Sequence, residues 1–115
     1  MPERGVSRRG AGASTPRLDA VFSALSDPTR RDVVRALGTA PTSASELATR
    51  MPVSRQAIAK HLASLAAAGL VDSERDGRQV RYRLTPGAFG DAVDWMTEVG
   101  AAWDTRLAAL RRHVT

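Results

Sequence analysis

Hydrophobic positions recur along this chain with two different periods, and their succession outlines an architecture. Leu18, Val21, Phe22 and Leu25 fall at the spacing of one helical face and predict a short first helix. Ser26-Asp27-Pro28 ends it and opens a second. Asp27 can cap free amides, and Pro28 suits a first helical position, where its missing N–H costs nothing. The second helix is predicted to run to about Leu37, with Val33, Val34 and Leu37 inward and Gly38 as its stop. Ser43-Ala44-Ser45-Glu46 fits a capping box, in which hydroxyl and carboxylate satisfy each other's orphan amides, and it opens a short third helix through Leu47 and Ala48. Pro52 lacks an N–H and constrains Met51, so Met51-Pro52-Val53 interrupts that helix. Ser54 then caps a fourth helix ending at Gly69. Two helices across so short a turn predict a helix-turn-helix.

Beyond Gly69 the pattern alternates. Leu70–Arg75 and Gln79–Leu84 flank Asp76-Gly77-Arg78, and Asp-Gly is a strong hairpin signal because glycine tolerates the positive φ a tight turn requires. Val80, Tyr82 and Leu84 share one face of the second strand, Arg81 and Arg83 the other, with Arg75 at the end of the first strand and Arg78 near the tip. A ribbon this small is marginal alone, so its apolar face is expected on the helices while its outer face offers arginines to a polyanion. A basic hairpin directly after a helix-turn-helix is the expected wing of a winged helix.

Thr85-Pro86 reads as another cap with a first-turn proline. Phe89, Val93, Met96, Gly100, Trp103, Leu107, Leu110 and Val114 then recur at alternating steps of four and three, widened by Trp95 and Val99. About 28 helical residues reach roughly 40 Å, more than a monomer of this size needs. The stripe exceeds what four short helices can cover, which predicts a homodimer through the last helix, helped by Leu18, Val21 and Phe22 of the first. The expected fold is therefore mainly α with a small β-hairpin: a winged helix-turn-helix of four helices, a wing hairpin and a long C-terminal dimerisation helix. Residues 1–16 form a basic tail expected to be disordered, 17–84 the DNA-binding unit and 85–115 the dimerisation helix of the same compact domain.

The fourth helix divides sharply by angle. Ile58, Leu62 and Leu65 lie on one side, whereas Arg55, Gln56, Ala59, Lys60 and Ala63 lie about 130° away. Arginine pairs with guanine O6 and N7, glutamine with adenine N6 and N7, and small side chains admit a helix closely to the major groove. Ser54 and the free amides at the helix start suit a phosphate. No acid occurs between Arg55 and Ala68. A solvated helix face is the bland alternative. His61 lies between the two faces and is read as a packing or phosphate-contacting group rather than a metal ligand.

Charge sharpens this picture. Of the 115 residues, 17 are basic and 12 acidic, for a formal charge of +5. Two blocks carry the excess, the tail through Arg17 and residues 51–83, each at +3. The tail is a candidate DNA-contacting arm or a merely solvated one, and it lacks the apolar stretch of a secretory signal. No apolar run approaches the roughly 20 residues a membrane span requires. Without cysteine there is no disulfide, no thiolate metal site and no thiol nucleophile, which suits a reducing, cytoplasmic setting. No phosphate loop occurs, and neither His61 nor His113 lies in a recognisable catalytic motif, so an enzyme is not expected.

Several segments together resemble one family. Phe22-Ser23-Ala24-Leu25-Ser26-Asp27-Pro28-Thr29-Arg30-Arg31 is similar to the opening of ArsR-type winged-helix regulators. Glu46-Leu47-Ala48, Val53 through Leu62, Ala67-Ala68-Gly69-Leu70-Val71, and Gly77-Arg78 with Tyr82-Arg83-Leu84 match its later segments in order. The resemblance runs from about Leu18 to Leu110 and implies a homodimer that binds an inverted repeat and represses transcription. It places recognition at Ser54, Arg55, Gln56, Ala59 and Lys60 and the wing contact at Arg78. At Ala59 many relatives carry serine. Metal-sensing relatives place cysteines around the third helix, where this chain has Ser45-Glu46-Leu47-Ala48-Thr49; their other site draws on the last helix, which here offers Asp104 and His113 nine residues apart. No metal and no cofactor are expected, and an unidentified small-molecule effector stays open. The leading expectation is a sequence-specific repressor of double-stranded DNA. The alternatives are a winged-helix protein-interaction or anti-regulator module without specific DNA binding, and a non-specific architectural binder.

Overall fold

The computed structural model describes residues 17–114, with the side chain of Val114 left aside, so the expectation for the basic tail falls outside it. Helix α1 occupies 17–24. It is followed by α2 (Pro28–Thr39), β1 (Thr42–Ser43), α3 (Ala44–Arg50), α4 (Arg55–Ala67), β2 (Val71–Asp76), β3 (Gln79–Leu84) and α5 (Gly90–Val114). This is the mainly helical winged architecture expected, with a sheet one strand larger. The three antiparallel strands lie in the order β1-β3-β2.

The core is built where the periodicity places it. Val33, Leu47, Ile58, Leu62, Leu65 and Leu70 are fully buried, joined by Val21, Ala24, Leu37, Val71 and Ala92. Leu18, Leu25, Val34, Tyr82, Leu84 and Phe89 pack around them. Asp27 caps α2 by accepting the Arg30 amide at 3.1 Å. That bond holds the Asp27 carboxyl below its ordinary pKa, so its stabilising contribution persists at neutral pH and is lost as pH falls through the lowered value.

Four local expectations change. First, α2 does not stop at Gly38 but continues to Thr39, and its cap Ala40 is extended (φ −166°, ψ 151°). The residue before a proline is disfavoured in helical geometry, so Pro41 rather than Gly38 terminates the helix. Second, the Ser43 hydroxyl accepts the Glu46 amide at 3.1 Å, but the Glu46 carboxylate accepts the Thr42 hydroxyl at 3.0 Å instead of closing the capping box. Ser43 is instead committed to β1, opposite Arg81. Third, Asp76 is the last residue of β2, paired with Gln79, so the hairpin loop is Gly77-Arg78. Only Gly77 has positive φ there (65°), as a II′ turn requires.

The fourth correction concerns the entry to α5. The helix begins at Gly90, not Pro86, because Gly87 takes φ 73° and the Ala88 amide closes a turn on the Thr85 carbonyl. The Thr85 hydroxyl caps nothing: it is buried with no hydrogen-bond partner. Leaving such a group unsatisfied costs about 1–3 kcal/mol. Thr85→Val, which keeps the shape and removes the hydroxyl, is therefore expected to leave stability unchanged or raise it by about 1 kcal/mol. A lowered urea midpoint would show that the hydroxyl is needed.

The end of α4 follows its glycine signal closely. Gly69 (φ 79°) follows the cap residue Ala68. Its amide bonds the Ala66 carbonyl, and the Leu70 amide bonds the Leu65 carbonyl, both at 2.9 Å. This Schellman arrangement seats Leu70 beside Leu65 in the core and launches β2 directly from the helix. Helix and wing are thereby held in one rigid relation.

Candidate nucleic-acid interface

The start of α4 carries a set of exposed polar groups. Ser54 Oγ accepts the Ala57 amide at 3.1 Å, and the first intrahelical bond runs from the Ile58 amide to the Ser54 carbonyl. The Arg55 and Gln56 amides precede that bond and point out of the helix end. The side chains of Arg55, Gln56, Ala59, Lys60 and Ala63 are all exposed, and the opposite face, Ile58, Leu62 and Leu65, is fully buried. The angular division of the sequence is therefore the division in space. His61 is half-buried between the two faces, near enough to Asp27 for its charge to favour the carboxylate.

Arg55 is not a free side chain. Its Nε donates to Ser45 Oγ of α3 at 2.9 Å. The bond crosses the helix-turn-helix and draws the guanidinium over a shallow hollow that Ser45, Arg55, Gln56, Ala59, Arg78 and Tyr82 help to line. Nothing in the sequence pattern pointed to Ser45, because a residue ten positions away on another helix leaves no periodic signal.

The wing meets this hollow with its loop end and the start of β3, where Gln79 also lines it. Val80 and Tyr82 face it, and Arg78 at the loop reaches it. Arg75 stands opposite Val80 in the register and so shares that face. The other face carries Asp72, Glu74 and Asp76 against Arg81 and Arg83. Arg81 Nε donates to Asp76 at 3.0 Å, its Nη1 to the Pro41 carbonyl at 3.4 Å, and Arg83 Nη1 to Glu74 at 3.3 Å. The arginines that this outer face was expected to offer to a polyanion are thus each paired with a carboxylate of the neighbouring strand. The alternation of acids along β2 was visible in the sequence, and only the register shows that it lies against Arg81 and Arg83.

Arg30 and Arg31, within the family-like opening, also have a structural task. Arg30 donates to the carbonyls of Ala24 (2.6 Å) and Ser23 (3.4 Å), and Arg31 to that of Leu25 (2.7 Å). Cations at a helix C-terminus satisfy orphan carbonyls and complement the dipole. The pair thus locks α1 onto α2 rather than reaching for a ligand.

Away from the hollow, α5 presents an apolar surface. Val93, Trp95, Met96, Val99, Trp103 and Leu110 are all about half exposed, and Phe22 of α1 joins them through an edge-on contact with Trp95 at 5.7 Å. Of the other residues expected at a dimer interface, Gly100 and Leu107 are half-buried. Val21, by contrast, is 6% exposed and Leu18 and Phe89 pack on the same core, so these three serve the chain's own interior. The α1 helix lies beside the start of α5, with Arg17 and Asp91 3.5 Å apart at the surface, and its inner face is occupied by the core packing of Leu18, Val21 and Ala24.

A helix-turn-helix with an exposed, acid-free second helix and an adjoining hairpin wing defines the winged helix-turn-helix class of DNA-binding regulators. Residues 25–74 match the family model described as a helix-turn-helix domain. The chain is similar to the transcriptional repressor SdpR of Bacillus subtilis, 32% identical over 79 residues that cover 69% of this chain and 88% of that one. It is similar also to the HTH-type transcriptional regulator CmtR of Mycobacterium tuberculosis, 35% identical over 71% of this chain and 70% of the relative. Among solved structures, an ArsR-like transcriptional regulator from Rhodococcus sp. RHA1 superposes with a TM-score of 0.74 at 49% identity, covering 87% of this chain and 94% of its own. The chain belongs to the ArsR-type winged helix-turn-helix transcriptional regulators. It is a DNA-binding regulator and not an enzyme.

Proposed function

We propose that the protein is a homodimeric repressor that binds an inverted-repeat operator in double-stranded DNA. The observation that carries this reading is the pairing of two surfaces: an exposed, acid-free α4 face beside Arg78, and a long exposed apolar face on α5. In this reading Arg55 and Gln56 read base edges, Ala59 allows close approach, and Ser54, Lys60 and the α4 amides hold phosphates. Arg75 and Arg78 grip the flanking backbone, while Arg81 and Arg83 brace the wing from its far side. Similarity to a relative named as a repressor supports repression. The chain holds no cysteine, so neither thiolate-held metal nor thiol oxidation is its signal. We assign the regulator to the cytoplasm, in keeping with the absence, among the described residues, of any helix long and apolar enough to cross a membrane.

Footprinting of the purified protein on genomic DNA tests the proposal. The expected protection is an imperfect palindrome whose half-sites lie about 34 Å apart, one turn of the double helix, with the region beside the protein's own gene as first candidate. Protection without a preferred site would instead identify an architectural binder.

The two sides of the wing are separable by salt titration. Phosphate neutralisation releases counterions, so Arg78→Ala is expected to reduce the slope of log affinity against log salt by about 0.9. Arg83→Ala should change that slope less and cost about 0–1 kcal/mol of stability, the usual range for a surface ion pair. Equal slope changes would place both arginines on the DNA.

A further inference from the structure

The bond between Arg55 and Ser45 has a consequence for base recognition. A guanidinium has two donor edges: one combines Nε with a terminal nitrogen, the other uses the two terminal nitrogens. Here Nε is spent on Ser45 Oγ at 2.9 Å. The terminal edge is thereby the one left for a partner in the hollow that Arg55 lines together with Gln56 and Ala59. An end-on arginine matches guanine O6 and N7. A guanidinium free to rotate would find phosphate oxygens equally good partners, because any N–H fork suits them.

Ser45 is also well placed to hold this orientation. It is the second residue of α3, a helix anchored by the fully buried Leu47 and by Ser43, which is both the α3 cap and a strand residue paired to Arg81. Its hydroxyl is therefore carried by a different helix, one held in the core beside α4 and tied to the sheet through Ser43. We propose that Ser45 is a specificity-determining positioning residue: through Arg55 it sets which base is preferred at one operator position without itself touching a base. The inference rests on the proposal that Arg55 reads DNA. It adds that the reading depends on a second helix, and that a substitution on α3 alone will alter base preference.

The test uses the full-length protein and an operator duplex selected from random-sequence DNA, together with its single-base variants. Arg55→Ala first identifies the base pair at which preference is lost. At that pair, Ser45→Ala is expected to reduce discrimination about three- to tenfold, in the range of couplings between contacting side chains. The salt dependence should steepen as the released guanidinium turns to phosphate. Ser45→Thr retains the hydroxyl and should retain the preference. In an Arg55→Ala background, Ser45→Ala should change nothing further at that pair. Discrimination unchanged by Ser45→Ala would overturn the positioning role while leaving Arg55 as a reader. An equal loss with and without Arg55 would also overturn it, by showing that Ser45 contacts DNA directly. If Arg55→Ala alters no base preference at all, both the reading and the inference built on it fail together.

Discussion

A protein carrying Met96→Glu and Trp103→Glu is expected to remain folded, sediment as a monomer and lose operator binding. Both side chains are about half exposed on α5 and take no part in the buried core. Folding of the chain therefore does not need them. Each large apolar side chain taken from water contributes about 1.5–3 kcal/mol, and a two-fold interface counts every residue twice. Replacing two of them with carboxylates removes that gain and adds like charges across the axis. One recognition helix alone reads only a half-site, so affinity should fall by about two orders of magnitude or more, toward the non-specific level that lies roughly 10³–10⁷ below specific binding. Sedimentation and operator titration, with far-UV circular dichroism as the control for folding, check this. A doubly substituted protein that stays dimeric and binds as before would move the interface elsewhere.

Arg55→Ala should cost about 1–3 kcal/mol at one base pair of each half-site, the usual value of a bidentate arginine–guanine pair. The loss is predicted to be selective. Affinity for the mismatched operator should barely change, because phosphate contacts by Lys60, Arg78 and the α4 amides persist. Stability should also hold, since the side chain is exposed and its bond to Ser45 is solvated. Binding measured on matched and mismatched duplexes at fixed salt gives the answer. A uniform loss on both would make Arg55 a phosphate contact.

Much of this was legible from one chain. Several helix ends were announced by local chemistry, such as Asp27-Pro28 before α2 and Gly69 after α4, whereas Thr85-Pro86 did not open α5. Core membership at Val33, Ile58, Leu62 and Leu65 followed from periodicity alone. What escaped were features made by partners distant in sequence. The β1 strand is two residues long and exists only because β3 lies beside it. The acid–base pairing on the wing depends on register, and the capping box failed because Thr42 lay within reach of Glu46. Leu18, Val21 and Phe89 were apolar and correctly periodic, yet periodicity cannot say whether an apolar face meets the same chain or another copy.

The division has a physical cause. Caps, turn glycines, prolines and hydrophobic periods act over about one helical turn or a few strand residues, so the order of residues determined the five helices and the hairpin in outline, the buried stripes, the acid-free face of α4 and the regulator family. Orientation is a property of pairs brought together by folding. Only the tertiary structure decided that Arg81 and Arg83 are compensated while Arg78 faces the hollow. It likewise decided that Arg30 and Arg31 lock α1 to α2, and that Arg55 is held by a serine on another helix. Side chains of one type, arginine, thus divide between holding the fold and facing outward, and what separates them is which oxygen lies within about 3 Å once the chain has folded.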